Sequence, residues 1–360
     1  MPELDQQRHR YAIATLLFRS PAGSTASEPP WGAALIDEIF NRDEFGAAQF
    51  WSRCTRALMD LSFEIVTPGW IPFDTFTWAD AQQTGRGGVV QAAKQDLASD
   101  GIDLSGFDHL VVLVPNGPSD AGATGQLGDI ALDELGGLSF FQHEVGHTLG
   151  FQHAFGGAWV PGGGNVYQDA FDVMGFTNLQ RDPNGVDHAV PVPDVDAGQT
   201  TPNFWRSDRR LSAASLYRGS ERFALGGGVS QILGTQGVAE IQGLCVDGTG
   251  SVLATIDIPG HDDGVLAVEY RPAVGDDVSV GSTVVVHSIG VNQVNNPPLG
   301  EIRPVWLEGT LAPQVNEVLE VPSCGKTVTV TGVSAENPPE SVTVEIRLML
   351  GHKFEPGLVH

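Results

Sequence analysis

Residues 143–153 read His-Glu-Val-Gly-His-Thr-Leu-Gly-Phe-Gln-His, and this stretch is the strongest indication of the fold around it. On a helix, His143 and His147 share one face and stand about one turn apart, a rise of roughly 6 Å. Two imidazoles placed in this way can bind one metal ion, and Glu144 can reach a water bound to that ion. Gly150 lets the chain leave the helix at once, so that His153 can return as a third ligand. Three protein ligands with an open fourth position indicate a catalytic zinc site rather than a structural one.

The alternative interpretation is a helix whose histidines are merely solvated or packed in a core. A second segment, Phe171-Asp172-Val173-Met174-Gly175-Phe176, follows downstream. The extended histidine motif followed by this methionine segment resembles the metzincin zinc metallopeptidases, in which a tight turn places a methionine beneath the zinc. Within that group, the methionine segment is similar to the gametolysin-like and related bacterial secreted branch. Astacins and serralysins carry a tyrosine where this chain has Phe176, so that oxyanion donor is expected to be absent.

The resemblance implies a fold, a cofactor and an activity. The fold is an α/β (α+β) catalytic domain of metzincin type, with a mixed sheet and a zinc helix. The implied cofactor is Zn²⁺ bound by His143, His147 and His153, with Met174 as the structural methionine of the turn. Glu144 is the implied general base, and the implied reaction is hydrolysis of peptide bonds in proteins or peptides by a metal-activated water.

A rival function remains open at this stage. It is a non-catalytic, zinc-containing module with a peptidase-like fold that recognises protein or glycan without cutting it. Glu144 discriminates between the two, because a degenerate site most readily loses its general base, and here the base is present. A structural or adhesive extracellular protein is the third possibility, and it depends only on the β-rich C-terminal pattern.

Composition excludes several partner classes. The chain has 360 residues, with 44 acidic and 19 basic side chains and a formal net charge of -25. The electrostatic field of so negatively charged a protein repels nucleic acid and anionic membranes, so neither is expected as a partner. No apolar run approaches the roughly 18 residues that a membrane span requires. We expect a monomer, and the resemblance implies an extracellular protein, although a cytoplasmic location stays open.

The apolar run at residues 11–18 follows Arg8 and Arg10 and imitates a short secretory signal. An opening β-strand explains the run better, and a convincing signal peptide is lacking. The pattern over residues 1–220 alternates α and β, with a helix near 88–99 and a central strand at 108–114. The alternating segment 128–134 is a candidate edge strand for binding an extended peptide, or else an ordinary connecting strand.

From residue 221 onward, short alternating runs separated by Gly, Pro, Asn and Asp predict an antiparallel β-sandwich. We therefore predict two domains, a catalytic domain at 1–220 and an accessory β-sandwich at 221–360. Cys245 and Cys324 both fall in the second half and could form one disulfide. The acidic pairs at 262–263 and 276–277 are either calcium ligands or, more commonly, turn residues.

The surroundings of the metal site leave further alternatives. Metal-binding histidines need partners for their second ring nitrogen, and Asp169 and Asp172 are candidates. Solvated loop carboxylates are the alternative for both. Tyr167 and His188 could replace the missing oxyanion donor, but neither belongs to the predicted site. The remaining histidines have no ligand-like spacing and are expected at the surface or in a core: His9, His109, His261, His287, His352 and His360.

Overall fold

A computed structural model of the chain describes residues 7–19, 32–42, 46–55, 57–115, 122–123, 128–133, 137–156, 169, 171–175, 210–218, 229–243, 250–261, 264–274, 281–291 and 305–349. Several sequence predictions concern residues outside these ranges. They are Tyr167, Phe176, His188, Cys245, His352, His360 and the acidic pairs at 262–263 and 276–277.

The described residues form two compact units, one ending at Gly150 and the other beginning at Phe151. This limit differs from the predicted boundary at 220. The predicted assignment of catalytic and accessory roles to 1–220 and 221–360 stays a prediction. No helix in the described part of the chain is long and apolar enough to cross a membrane.

The first unit is built on one mixed sheet. Its strands are β1 (Gln7–Arg19), β2 (Met59–Ile65), β3 (Ile71–Thr77), β4 (His109–Val114), β5 (Gly122–Ala123) and β6 (Ile130–Asp133). The order is β2-β1-β4-β6-β5, and β3 also pairs with β1 near its C-terminal end. All pairs are parallel except β5 with β6. The mixed α/β character is as predicted, whereas the metzincin identity of the fold stays a prediction.

Continuous apolar runs explain which strands lie at the centre of this sheet. In β1 every residue from Tyr11 to Phe18 is buried, and in β4 all six residues are buried. A parallel strand covered on both faces has this unbroken apolar pattern. The predictions of an opening strand at 11–18 and a central strand at 108–114 are therefore confirmed.

Helices cover the sheet of the first unit, and they are α1 (Ala33–Asp37), α2 (Ala47–Cys54), α3 (Trp78–Ser99) and α4 (Gly137–Thr148), with a π-helical turn at Glu38–Arg42. Helix α3 begins at a capping box formed by Thr77 and Asp80 and is broken at Gly85, where φ is 66°. Beyond the break, its apolar face packs against the core formed with β1 and β4. The helix predicted near 88–99 is confirmed, and the turns before Gly85 were missed.

Strand β6 corresponds to the predicted edge strand. Its neighbour β4 lies on one side, and β5 pairs antiparallel with Ile130 and Ala131 on the other. Of the two alternatives for this segment, the edge strand is contradicted at these two residues, because a two-residue strand from the preceding segment pairs with them. Such a short strand has no sequence pattern of its own.

The second unit contains two sheets. One has the order β7-β13-β12-β11-β10-β8 and the other β14-β15-β16-β9. The strands are β7 (Ala154–Phe155), β8 (Val229–Ile232), β9 (Gly237–Gln242), β10 (Leu253–Asp257), β11 (Val265–Arg271), β12 (Thr283–Ile289), β13 (Val305–Leu311), β14 (Val318–Val321), β15 (Lys326–Val333) and β16 (Ser341–Leu348). A 3-10 turn at Pro322–Cys324 separates β14 from β15.

Apolar side chains from both sheets form one core, which is the arrangement of a β-sandwich. Most pairs are antiparallel, as predicted, but β8 with β10 and β7 with β13 are parallel. Cys324 lies in this core, and burial raises the pKa of its thiol to about 12.

Two elements that precede residue 221 belong to this second unit. Their packing explains why the limit between the compact units falls at Gly150 rather than at 220. Strand β7 extends the larger sheet, and the ring of Phe155 stacks on Trp306 with centroids 6.1 Å apart. Helix α5 (Ala213–Arg218) buries Ala213 and Ala214 against the outer face of the same sheet. Residues that precede the predicted boundary at 220 thus contribute a strand and a helix to the second unit.

Candidate metal centre

Helix α4 carries His143, Glu144 and His147, and all three side chains are buried. The two histidine rings are perpendicular, with centroids 4.7 Å apart and an interplanar angle of 89°. Their Nε2 atoms are 3.1 Å apart. Residues four apart lie one above the other on a helix, so this convergence follows directly from the sequence spacing.

The chain leaves the helix immediately after these residues. The amides of Leu149 and Gly150 bond back to the last turn, and Gly150 has a positive φ of 91°. Glycine adopts this left-handed conformation without the steric cost that other residues meet. Within the described residues, His143, His147 and His153 form the one group with metal-ligand geometry, and their ligand atoms all lie within 4.8 Å of one another.

The donor set fits zinc. Two nitrogen ligands at about 2.0–2.1 Å from a tetrahedral zinc ion are roughly 3.4 Å apart, close to the spacing of the His143 and His147 Nε2 atoms. Three neutral imidazoles also match the ligand number of catalytic zinc sites, which leave one position open. The residues predicted as ligands are therefore brought together by the structure and could hold this metal.

Contacts with residues distant in the sequence hold α4 against the rest of its unit. The Trp51 indole Nε1 donates to the carbonyl oxygen of Gln142 at 3.0 Å, and the ring of Phe40 stacks on Phe141. At the other end, the Tyr11 hydroxyl lies 2.7 Å from Thr148 Oγ1. These contacts could not be predicted from the sequence, because Tyr11 and Trp51 lie far from the motif and resemble ordinary core residues.

The Tyr11–Thr148 bond has a defined direction. Thr148 Oγ1 donates its proton to the carbonyl oxygen of Val145, so Tyr11 donates to Thr148. Burial raises the pKa of Tyr11 well above its usual value, which keeps the phenol protonated as this role requires. The C-terminal turn of α4 is thus anchored one residue after His147.

Residues 172–175 form a tight turn that contains Met174, whereas the position of this methionine beneath a metal stays a prediction. The Gly175 amide donates to the Asp172 carbonyl at 2.9 Å, and the Met174 amide donates to Asp172 Oδ1 at 2.8 Å. The Met174 side chain is fully buried. Its carbonyl oxygen accepts from the Ala154 amide at 2.9 Å, which ties the turn to the residue after His153.

Gly175 is required by the packing of this turn. A Cβ at this position would lie 2.3 Å from the Asp169 carbonyl oxygen and 3.1 Å from that of Asp172. Both obstacles are backbone atoms, which cannot rotate away as a flexible side chain can. This steric restriction explains why glycine follows Met174 in the sequence.

Asp169 and Asp172 are both buried, so the solvated-carboxylate alternative is wrong for each. Asp169 Oδ2 lies 2.8 Å from His287 Nε2. Asp172 Oδ2 accepts from the Ser212 amide and from the hydroxyls of Ser212 and Ser215. Among the described residues, these hydrogen bonds run to β12 and to the α5 region rather than to the predicted zinc ligands.

A buried charged cluster surrounds these two carboxylates. Glu269 accepts from the Ala213 amide at the start of α5 and from Arg271 Nε at 3.2 Å. Burial and the neighbouring Asp169 charge raise the pKa of Asp172 to about 6. Sequence analysis missed this cluster. The only signal was a pair of charged residues on one face of β11, in a strand that is otherwise apolar.

His287 belongs to the same cluster, and its pKa is raised. Burial by itself lowers it, but the negative charges of Asp169, Glu269 and Asp172 outweigh that effect. The unfolded-state pKa of histidine is about 6.5. Because the pKa is higher in the folded state, protonation of His287 stabilises the fold fully below that pH, and this contribution is lost as pH rises through the folded-state pKa.

His287→Gln should therefore reduce the free energy of unfolding more at pH 6 than at pH 9. Chemical denaturation of parent and variant at both pH values measures the difference. An equal loss at the two pH values would show that His287 is not protonated in the folded state.

Comparison with known proteins adds little to this geometry. No protein-family model matches the chain, and the search of curated proteins gives no match either. Among solved structures, the chain is similar to the catalytically inactive OgpA from Akkermansia muciniphila in complex with an O-glycopeptide (glycodrosocin) substrate. Identity is 12% and the TM-score 0.32, over 95% of this chain and 93% of that chain.

Wild-type OgpA from the same organism gives comparable values in two crystal forms. One has 13% identity and a TM-score of 0.31, over 86% of this chain and 94% of that chain. The other has 12% identity and a TM-score of 0.30, over 95% and 92%. Similarity at this level does not establish a common fold, so neither activity nor substrate is transferred from OgpA.

Proposed function

We propose that this chain is a zinc-dependent endopeptidase that hydrolyses peptide bonds in proteins. The observation that carries the proposal is the group formed by His143, His147 and His153, with ligand atoms within 4.8 Å of one another. Glu144 lies buried beside the first of these residues. The turn at Met174, bonded to the residue after His153, supports the metzincin resemblance in particular.

Each residue has a distinct role in the proposed reaction. The three imidazoles would hold zinc, which when bound would supply a Lewis acid and lower the pKa of a coordinated water to about 7. The three histidines bind through neutral ring nitrogens. Glu144, when ionised, is acceptor-only, so it takes the proton as the water attacks the peptide carbonyl. It then returns this proton to the departing amine, which completes hydrolysis without a second acid.

The rival binding module shares the metal site but needs no base. Glu144 favours the enzyme, because hydrolysis requires a proton acceptor beside the bound water, whereas binding alone does not. A protein or peptide substrate and an extracellular location follow from the resemblance, and together with the expected monomeric state they belong to the proposal.

Purified protein is expected to contain about one zinc ion per chain, because three ligands complete a catalytic site. Metal analysis after zinc loading, paired with digestion of casein and of a proteome-derived peptide library, tests the proposal and reports cleavage specificity. His147→Ala is the matched control and should lose both metal and cleavage. Absence of zinc from the loaded parent protein would remove the mechanism, and zinc without cleavage would favour the binding module.

A further inference from the structure

We propose that His287, on the β-sandwich, is a positioning residue for the metal centre. Through Asp169 it fixes the segment containing Met174, and through that segment it fixes the backbone that carries His153. This inference depends on the proposed metal centre but not on the reaction catalysed there. It concerns residues of the second unit, which carries His153.

The first step links β12 to the methionine segment. His287 is fully buried, and its Nε2 donates to Asp169 Oδ2 at 2.8 Å. Its Nδ1 has no hydrogen-bond partner within the described part of the chain. A buried imidazole with one unsatisfied nitrogen is costly for stability, so an apolar residue would suit this buried outer face of the sheet better. The bond to Asp169 is the interaction that compensates for this cost.

The second step concerns the rigidity of the segment that Asp169 begins. Asp169 Oδ1 accepts from the Phe171 amide, and Asp172 Oδ1 accepts from the Met174 amide, each at 2.8 Å. Gly175 lies so close to the Asp169 carbonyl that a Cβ on it would be 2.3 Å from that oxygen, so the two ends of the segment are in steric contact. Asp172 is also held by serine donors from the α5 region. A displacement of Asp169 is therefore transmitted to Met174.

The third step reaches the ligand. The Met174 carbonyl accepts from the Ala154 amide, one residue after His153. Ala154 also lies in β7, which pairs with β13, and β13 pairs with β12, the strand that carries His287. Two sets of contacts thus connect β12 to the backbone of Ala154. One is the strand pairing through β13, and the other is the His287–Asp169 hydrogen bond together with the segment that contains Met174.

Loss of the His287–Asp169 hydrogen bond should weaken metal binding, while the strand pairing of the sheet maintains the fold. His287→Leu removes the donor and leaves the Asp169 carboxylate without its partner. We expect zinc affinity to fall about tenfold to a hundredfold, the range seen when residues that orient metal ligands are replaced. His287→Gln places an amide donor near the position of Nε2 and should restore most of the affinity.

The experiment measures zinc affinity by chelator competition and the absorption spectrum of the Co²⁺-substituted protein, which reports ligand geometry. Val286→Ala is the matched control, because Val286 is a buried neighbour that contributes to the core between the two sheets. It should lower stability and leave both metal readouts unchanged. A folded His287→Leu protein with zinc affinity within twofold of the parent would overturn the proposal.

Should His287→Leu fail to fold, Asp169→Asn is judged by the same criterion, since it removes the charge that His287 faces. Affinity within twofold of the parent again overturns the proposal, and a fall of tenfold or more supports it. The two proposals fail separately. If the parent protein binds zinc normally but does not cleave peptides, only the peptidase function is contradicted. If the parent is an active peptidase and these variants keep its zinc affinity, only the positioning role is contradicted.

Discussion

Glu144→Gln is expected to keep about one zinc ion per chain and to lose nearly all peptide-bond hydrolysis. The substitution preserves the size of the side chain and leaves the three histidine ligands in place. A glutamine cannot accept a proton from water, so the loss should fall on the chemical step. General-base catalysis typically contributes about 10²–10⁴-fold, and kcat should drop by at least this amount while KM changes little.

The matched control is Glu320→Gln, which makes the same chemical change at an exposed residue of β14. It should hydrolyse casein at the rate of the parent. Zinc content, thermal unfolding and steady-state kinetics on one peptide substrate separate loss of the base from loss of the metal or the fold. A Glu144→Gln protein as active as the parent would show that the proton is accepted elsewhere.

The metal ligands could be predicted because their geometry is local. His143 and His147 lie on one helix, and the turn that returns His153 is set by Gly150. The spacing therefore contains nearly all the information needed to bring the three rings together. The turn at Asp172–Gly175 is local in the same sense, since its bonds join residues two or three apart.

The support around the site is not local, and this is why sequence analysis missed it. Asp169 and His287 are separated by 118 residues, and Tyr11 and Thr148 by 137. Nothing in the pattern near either partner indicates the other. The histidine of β12 was predicted only to be at the surface or in a core, and Asp169 was assigned either to solvent or to the zinc ligands.

The fold shows the same division between local and distant information. Long apolar runs such as β1 and β4 are visible in the sequence, because burial on both faces leaves an unbroken pattern. Strands β5 and β7 have two residues each and leave no pattern at all. Strand β7 joins residues 154–155 to the sandwich sheet, so the limit between the compact units could not be found from composition.

Gly175→Ala tests the methionine turn without touching a ligand or an ionisable group. The added Cβ would lie 2.3 Å from the Asp169 carbonyl oxygen, so the backbone of the segment must move. Overpacking of this kind costs about 1–3 kcal/mol of folding stability. Since the Met174 carbonyl bonds to the amide after His153, we also expect zinc affinity to fall about tenfold or more.

Gly87→Ala makes the same substitution in α3, where an added Cβ meets no heavy atom within 4 Å. A helix interior favours alanine over glycine by up to about 1 kcal/mol, so this control should be as stable as the parent or slightly more stable. Chemical denaturation and chelator competition on both variants measure the two effects. If Gly175→Ala matches the parent in stability and in zinc affinity, the turn can relax freely, and Met174 does not constrain the third ligand.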